Sequence, residues 1–212
     1  MQALPRLGLL IGSSRHGGNG AGLAAWLSAL LDRRLNAPSA AVEIISVDPT
    51  QPPHPFGPVL DGSKTPRQIP DAASYASPVI QDWSKFVSSC AGFAIITPEY
   101  NAGYPGELKN ALDHLNREWV GKPVMLVTYG GGGGVRCAAQ LQSVLQELRM
   151  RTVESPVGII LPKQYTGGPE RVLPGDVYPE FLSPYEEAIN KAADKLKDHI
   201  FQARAEAAKP DN

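Results

Sequence analysis

The chain has 212 residues, of which 42% are hydrophobic, and this is enough for one globular domain with a full core. Its 20 Lys and Arg residues against 21 Asp and Glu residues give a formal net charge of −1, which does not favour binding to nucleic acid. No apolar run approaches the roughly 20 residues of a membrane span, and the N-terminus lacks the layout of a signal peptide. We therefore expect a cytoplasmic protein that binds neither nucleic acid nor membrane, with Cys90 and Cys137 as reduced core thiols.

Short apolar runs alternate with helical patterns along the chain, which favours a parallel sheet covered by helices. Helical stripes of apolar residues begin near Leu23, Leu108 and Ala138, and a last helix is predicted over about 184–204. The pattern therefore predicts an α/β fold with helices on both faces of a five-stranded parallel sheet. The predicted strands are Leu7–Ile11, Val42–Val47, Gly92–Ile96, Pro123–Thr128 and Val157–Leu161.

Two irregular stretches, residues 49–78 and 162–184, interrupt this alternation. Eight prolines lie in the first, and because proline lacks a backbone donor the stretch is unsuited to helix interiors or central strands. We predict that both are excursions from a single domain spanning residues 1–212. The first excursion carries Phe56, Val59, Leu60 and Tyr75, which we expect to pack in part against a partner chain in a homodimer at least.

In parallel sheets of this type, ligands bind beyond the carboxyl ends of the strands, so the loops after the first, third and fourth strands are the candidate site. The first loop, Gly12–Gly20, opens directly onto a helix, where converging backbone N–H groups favour an anion. Ser13 and Arg15 add donors for a phosphate. Gly18 stands where a P-loop requires lysine, and no G-x-G-x-x-G run occurs. The alternative is a flexible glycine-rich turn.

The second and third loops are equally unusual. The run Thr97–Gly106 carries two tyrosines and an asparagine on a turn stiffened by proline and glycine, which is suited to a flat aromatic ligand. Five glycines, Gly130–Gly134, end the fourth strand and allow a planar ligand to approach the main chain. The alternatives are a strand-to-helix turn with surface aromatics for the second loop and a slack linker for the third.

The four histidines indicate no metal site. His16, His54, His114 and His199 lack metal-ligand spacing, and we expect each to be a solvated surface residue. Neither Asp113 nor His114 is assigned an acid or base role.

Three runs of residues together resemble the NADPH-dependent FMN reductase family. They are Gly12-Ser-Ser-Arg-His-Gly17, then Pro98-Glu-Tyr-Asn-x-Gly-Tyr-Pro105 with Leu108-Lys-Asn-Ala-Leu-Asp113, and Glu118-Trp-x-Gly-Lys-Pro-Val124 leading to Tyr129-Gly-Gly. The likeness covers roughly Leu7 to Leu161. That family includes FMN-dependent quinone, azo-dye and chromate reductases on a flavodoxin-like fold, which implies a three-layer sandwich with strand order 2-1-3-4-5.

The resemblance also implies a cofactor, FMN, with NADPH or NADH as co-substrate. The chemistry is then carried by FMN, with no catalytic side chain and no metal, and the family implies a homodimer or homotetramer. Gly133 stands where the family usually has serine, which removes one hydroxyl near the flavin. The implied cofactor-binding residues are Ser13, Arg15, Gly18 and Gly20 for the phosphate, Pro98, Glu99, Tyr100 and Asn101 along the isoalloxazine, and Gly130, Gly131, Gly132 and Gly133 on its other edge.

Our leading hypothesis is an NAD(P)H-dependent FMN reductase that passes two electrons to quinones or similar small-molecule acceptors by a ping-pong mechanism. A flavodoxin-like electron carrier is an alternative, although such carriers tend to be strongly acidic and this chain has an isoelectric point near 6.4. The second alternative is a flavin-binding regulatory or structural protein with little turnover, because the glycine loop departs from the family pattern.

Overall fold

A parallel sheet forms the centre of the computed structural model, which describes residues 3–39, 41–55, 57 and 64–207. Strands are paired in the order β2-β1-β3-β4, and both β5 and β6 pair with β4. The predicted fold class and strand order are confirmed, with β6 as the predicted fifth strand and β5 as a short addition. The strands are β1 (Arg6–Ile11), β2 (Glu43–Val47), β3 (Cys90–Pro98), β4 (Pro123–Gly130), β5 (Arg151–Thr152) and β6 (Val157–Ile160).

Helices cover both faces of the sheet. α1 and α6 pack on one face, whereas α2, α3 and α4 pack on the other. The C-terminal helix is longer than the predicted 184–204, and α2 was not predicted at all. The helices are α1 (Gly20–Asn36), α2 (Pro78–Ser89), α3 (Gly106–Asp113), α4 (Val135–Glu147), α5 (Lys163–Thr166) and α6 (Glu186–Ala207).

The central strands are apolar throughout because both of their faces are buried. In β3, Phe93 and Ile95 belong to the core under α2, α3 and α4, and Ala94 and Ile96 belong to the core under α1 and α6. This alternation is the period of two expected for a strand, so each face of β3 supplies one of the two cores.

The first irregular stretch leads into α2 through two short 3₁₀ turns, Pro66–Gln68 and Ala72–Ser74. Tyr75 is 5% exposed and its hydroxyl donates to Glu118, so this residue is buried within its own subunit and does not support the predicted packing against a partner chain, which stays a prediction. A buried ring whose hydroxyl finds a carboxylate within its own chain needs no partner subunit. Three residues of the same prediction, Phe56, Val59 and Leu60, lie outside the described residues.

Two histidines predicted to be solvated are buried instead. His54 packs against Trp83 at a ring-centroid distance of 5.9 Å, and burial lowers the pKa of His54 to about 4, which keeps the ring neutral. His114 directly follows α3, and its Nδ1 lies 2.6 Å from the carbonyl oxygen of Asn110. Both imidazole rings are therefore part of the core rather than the surface.

The two cysteines are buried free thiols, as predicted. Within the described ranges, no helix is long and apolar enough to cross a membrane. The same residues contain no group of three His, Cys, Asp or Glu side chains arranged to hold a metal ion.

The backbone just after α4 has a left-handed conformation, which predicts how substitutions there change stability. Arg149 has φ of 58°, a left-handed conformation that favours glycine, and the next N–H, of Met150, closes the helix on the carbonyl of Leu145 at 2.9 Å. We expect Arg149→Gly to be more stable than Arg149→Ala by about 1 kcal/mol, because both lose the side chain but only glycine relieves the backbone. Urea unfolding measures the difference, and equal midpoints would contradict it.

Candidate functional site

A cleft lies at the carboxyl edge of the sheet, where β1, β3, β4 and β6 end. Parallel register aligns these ends, because Pro98 is paired with Tyr129 and Gly130 with Ile160. The cleft has a volume of about 420 Å³, within the usual range of small-molecule sites. Its position follows the general rule for ligand sites in open α/β sheets.

Most of the residues that the sequence predicted lie together around this cleft. Three do not line it: Asn101 is exposed with φ of 49°, Gly132 is exposed, and Gly133 is buried beneath the backbone of Gly158. The predicted residues that line the cleft are Ser13, Arg15, Gly18, Gly20, Pro98, Glu99, Tyr100, Gly130 and Gly131.

The start of α1 forms one end of the cleft and is suited to an anion. The first turn of α1 contains no acidic residue, and Asn19, at the N-cap position, makes no side-chain capping bond. The first N–H groups of a helix have no partner within it, so they carry the positive end of the helix dipole. Both features leave this positive end uncompensated by the protein.

Tyr100 connects the first and second loops. Its hydroxyl lies 2.5 Å from the Oγ of Ser13, and the guanidinium carbon of Arg15 lies 4.4 Å from the centre of its ring. The ring therefore stacks with a cation on the side of the first loop, Gly12–Gly20. These contacts bring residues 87 positions apart into one surface.

Glu107, in the first turn of α3, anchors the first loop through Ser14. Its Oε1 accepts hydrogen bonds from the Oγ of Ser14 at 2.5 Å and from the Ser14 N–H at 3.3 Å. Desolvation raises the pKa of Glu107, but hydrogen bonds from the Ser14 hydroxyl and from backbone N–H groups outweigh it, and the pKa lies below its ordinary value. An ionised carboxylate thus fixes the loop between β1 and α1 to the start of α3.

Glu99 is held in a similar way at the start of α4. Its carboxylate accepts from the Nε and Nη2 of Arg136, at 2.9 and 2.6 Å, and from the N–H groups of Arg136 and Cys137. Desolvation raises the pKa of Glu99, yet these hydrogen bonds bring it below the ordinary value. Because every such bond favours the anion, Glu99 has a structural role and is a poor candidate for a general base.

The five-glycine loop divides into two parts. Gly134 has φ of 71°, and a Cβ on it would lie 2.8 Å from the Cβ of Thr128. The Oγ1 of Thr128 also donates to the carbonyl of Gly133 at 2.7 Å, which fixes the end of the loop against β4. A Cβ on Gly131 or Gly132 would meet nothing within 4 Å. Gly133 and Gly134 are therefore required by the fold, whereas Gly131 and Gly132 leave the approach to the cleft open.

Several residues of the cleft were not among the predicted site residues. They come from the first loop, from the ends of β4 and β6, and from the start of the second irregular stretch. The loop after the last strand begins at the same edge of the sheet as the others, so its position in the chain was the signal that could have found it. The additional lining residues are His16, Gly17, Asn19, Tyr129, Leu161, Tyr165, Thr166 and Arg171.

Comparison with known proteins places this chain in a defined family. The family model described as NADPH-dependent FMN reductase matches residues 5–161. The chain is 40% identical to the NAD(P)H-dependent FMN reductase LOT6 of Saccharomyces cerevisiae over 134 residues, 61% of this chain and 64% of that protein. It is 30% identical to the NAD(P)H-dependent FMN reductase ntnL of Nectria sp over 209 residues, 95% of this chain and 100% of that protein.

A solved structure supports the fold. FerB, the flavoenzyme NAD(P)H:(acceptor) oxidoreductase of Paracoccus denitrificans, superposes with a TM-score of 0.62 at 18% identity, over 94% of this chain and 98% of that chain. At such low identity the likeness to FerB is one of fold alone.

The stretch matched to the Saccharomyces relative spans just under two thirds of that protein.

The two parts of the glycine loop predict unequal responses to the same substitution. We expect Gly134→Ala to lower the free energy of unfolding by about 2 kcal/mol, because the left-handed backbone and the contact with Thr128 both oppose a Cβ. Gly132→Ala, the matched control, meets no neighbour and should change it by less than about 0.5 kcal/mol. Chemical denaturation of both variants is the measurement, and equal losses would contradict the division of the loop.

Proposed function

We propose a function from one premise: the chain belongs to the NADPH-dependent FMN reductase family. In this proposal the protein is an enzyme that holds FMN in the cleft and passes two electrons from NADPH or NADH to quinones or similar small-molecule acceptors. The observation that carries the proposal is the convergence of an anion-binding loop, an aromatic and peptide wall, and an open glycine edge on one cleft.

The donor set of the cleft fits a flavin mononucleotide. Ser13, Arg15 and the free N–H groups at the start of α1 suit a phosphate, since they combine a hydroxyl, a guanidinium fork and the helix dipole. Pro98, Glu99 and Tyr100 give the cleft a wall with an aromatic ring, which suits a flat heterocycle. The glycine edge leaves room for such a ring.

When bound, FMN supplies the redox chemistry, accepting a hydride and giving up two electrons, and the protein supplies binding, orientation and electrostatics. Ser13, Arg15 and the start of α1 would hold its phosphate, so we call the Gly12–Gly20 loop the phosphate loop. Tyr100 would keep Arg15 in place through the contact between its ring and the guanidinium. Gly131 and Gly132 would leave one edge accessible to nicotinamide and acceptor in turn. No side chain of the cleft is assigned proton transfer, because Glu99 and Glu107 are both engaged by hydrogen bonds.

Assembly and location stay predictions. A homodimer or homotetramer is supported by apolar side chains on the second irregular stretch, where Leu173 is 67% and Val177 is 89% exposed. Cytoplasmic location is consistent with the two free thiols, Cys90 and Cys137.

The phosphate assignment predicts a flavin-selective loss of affinity. Arg15→Ala should weaken FMN binding by roughly ten- to a hundredfold, because it removes a charge-assisted contact of about 1.5–3 kcal/mol. Riboflavin, which lacks the phosphate, should be affected far less. Titration of apoprotein with both flavins is the measurement. Unchanged FMN affinity would remove Arg15 from the phosphate site.

The single open edge predicts the kinetic pattern. If nicotinamide and acceptor visit the same ring face in turn, double-reciprocal plots at several quinone concentrations should be parallel. Gly131→Val should crowd this approach and lower turnover, because Gly131 lines the cleft. It should leave the fold intact, because no neighbour lies within 4 Å of its Cβ position. Stopped-flow and steady-state assays with NADPH and a set of quinones are the measurements.

Other outcomes of the same assay separate the alternatives. Intersecting plots would mean that both substrates bind together, which contradicts a shared site. No NAD(P)H oxidation by flavin-loaded protein with any quinone would favour the regulatory reading. Electron transfer to a protein acceptor alone would favour the carrier.

A further inference from the structure

The segment that follows β6 forms the outer wall of the cleft at its phosphate end. We call residues 163–172 the strap. It begins with the single turn of α5, and three of its side chains, Tyr165, Thr166 and Arg171, line the cleft opposite the Gly12–Gly20 loop. The matched family region ends at residue 161, so the strap lies beyond it.

Asn19 attaches both ends of the strap to the start of α1. Its Nδ2 donates to the carbonyl of Tyr165 at 2.8 Å, and its Oδ1 accepts from the N–H of Val172 at 2.9 Å. The strap also lies directly on α1, because a Cβ on Gly22 would be 2.1 Å from the carbonyl oxygen of Val172. The position of the strap relative to the phosphate loop is therefore fixed by backbone contacts at two points.

Arg171 reaches from the strap to the phosphate loop. Its Nε donates to the carbonyl of Gly17 at 3.1 Å, and its Nη1 donates to the carbonyls of Gly168 and Glu170 at 2.7 and 2.6 Å. These three bonds fix the plane of the guanidinium. Among the described residues, Nη2 has no acceptor, and Arg171 forms no ion pair. A fixed guanidinium with a spare amino group therefore lines the cleft.

Positive groups gather at this end of the cleft. Arg15 and Arg171 both line it, and the uncapped start of α1 adds its dipole. Among the residues that line the cleft, the carboxylate of Glu99 is paired with Arg136. Like charges held together in this way repel one another, and a bound dianion removes the repulsion.

We propose that Arg171 is a second phosphate-recognition residue, and that the strap makes this site selective for a phosphorylated flavin over riboflavin. The inference rests on the proposed function, since it requires that FMN binds in this cleft. Its physical basis is that a planar guanidinium, already oriented by three carbonyl groups, can bind phosphate oxygens with little further loss of side-chain entropy. Two guanidinium groups from residues 156 positions apart would then hold one phosphate.

The test is a pair of equilibrium titrations, of FMN and of riboflavin, into apoprotein of the wild type and of Arg171→Ala, Arg171→Lys and Arg151→Ala. Arg151 is an exposed arginine on β5, outside the cleft, and serves as the control for loss of one positive charge. We expect Arg171→Ala to weaken FMN binding roughly ten- to a hundredfold and to change riboflavin affinity by less than about twofold. Arg171→Lys should fall between, because it keeps the charge but loses the planar group that the three carbonyl oxygens orient.

Each of the other possible results would overturn a part of this proposal. Unchanged FMN affinity in Arg171→Ala would exclude phosphate contact, and an equal loss for FMN and riboflavin would mean that Arg171 only supports the strap. An equal loss in Arg151→Ala would mean that net charge alone is responsible. Failure of the wild type to bind FMN would instead overturn the proposed function, so the two failures are distinguishable.

Discussion

The parallel register of β1, β3, β4 and β6 decides where the loops of this molecule lie, and the cleft depends on it. Pairing Ile11 with Ile96 places the loop between β1 and α1 beside the loop after β3, and pairing Gly130 with Ile160 places the glycine loop beside the strap. A parallel strand needs a crossover connection, so each loop begins at the same edge. Four parts of the chain that are distant in sequence therefore meet at this edge as a direct result of strand pairing.

At this edge the protein separates its charges. Both carboxylates near the loops are committed to hydrogen bonds at helix starts, Glu107 with Ser14 and Glu99 with the first N–H groups of α4. The start of α1 is left uncapped because the side chain of Asn19, which could cap it, is used to hold the strap. The result is one helix N-terminus prepared for an anion beside two that are already neutralised.

Rigidity and openness are divided between neighbouring residues. Gly133 and Gly134 are fixed by contacts with Gly158 and Thr128, whereas Gly131 and Gly132 have space around them. In the proposed function this edge admits both a nicotinamide and a varied acceptor. Such an edge needs few directional contacts, but it also needs a frame that keeps its backbone in place. Adjacent glycines meet these two requirements with a single residue type.

The sequence by itself determined the strands, the three unusual loops and most of the residues that line the cleft, because buried parallel strands are continuously apolar and their carboxyl ends mark the ligand edge. It also contained α2 in the spacing of Ile80, Trp83 and Val87, which the prolines before it obscured. Only the tertiary structure decided that Tyr75 and His54 are buried. The same holds for the hydrogen bonds of Asn19 to the strap and of Arg171 to the Gly12–Gly20 loop. These outcomes are contacts between distant residues or depend on them. Periodicity reports which side of an element is apolar, but the partner that it meets depends on the three-dimensional arrangement of the sheet and its connections.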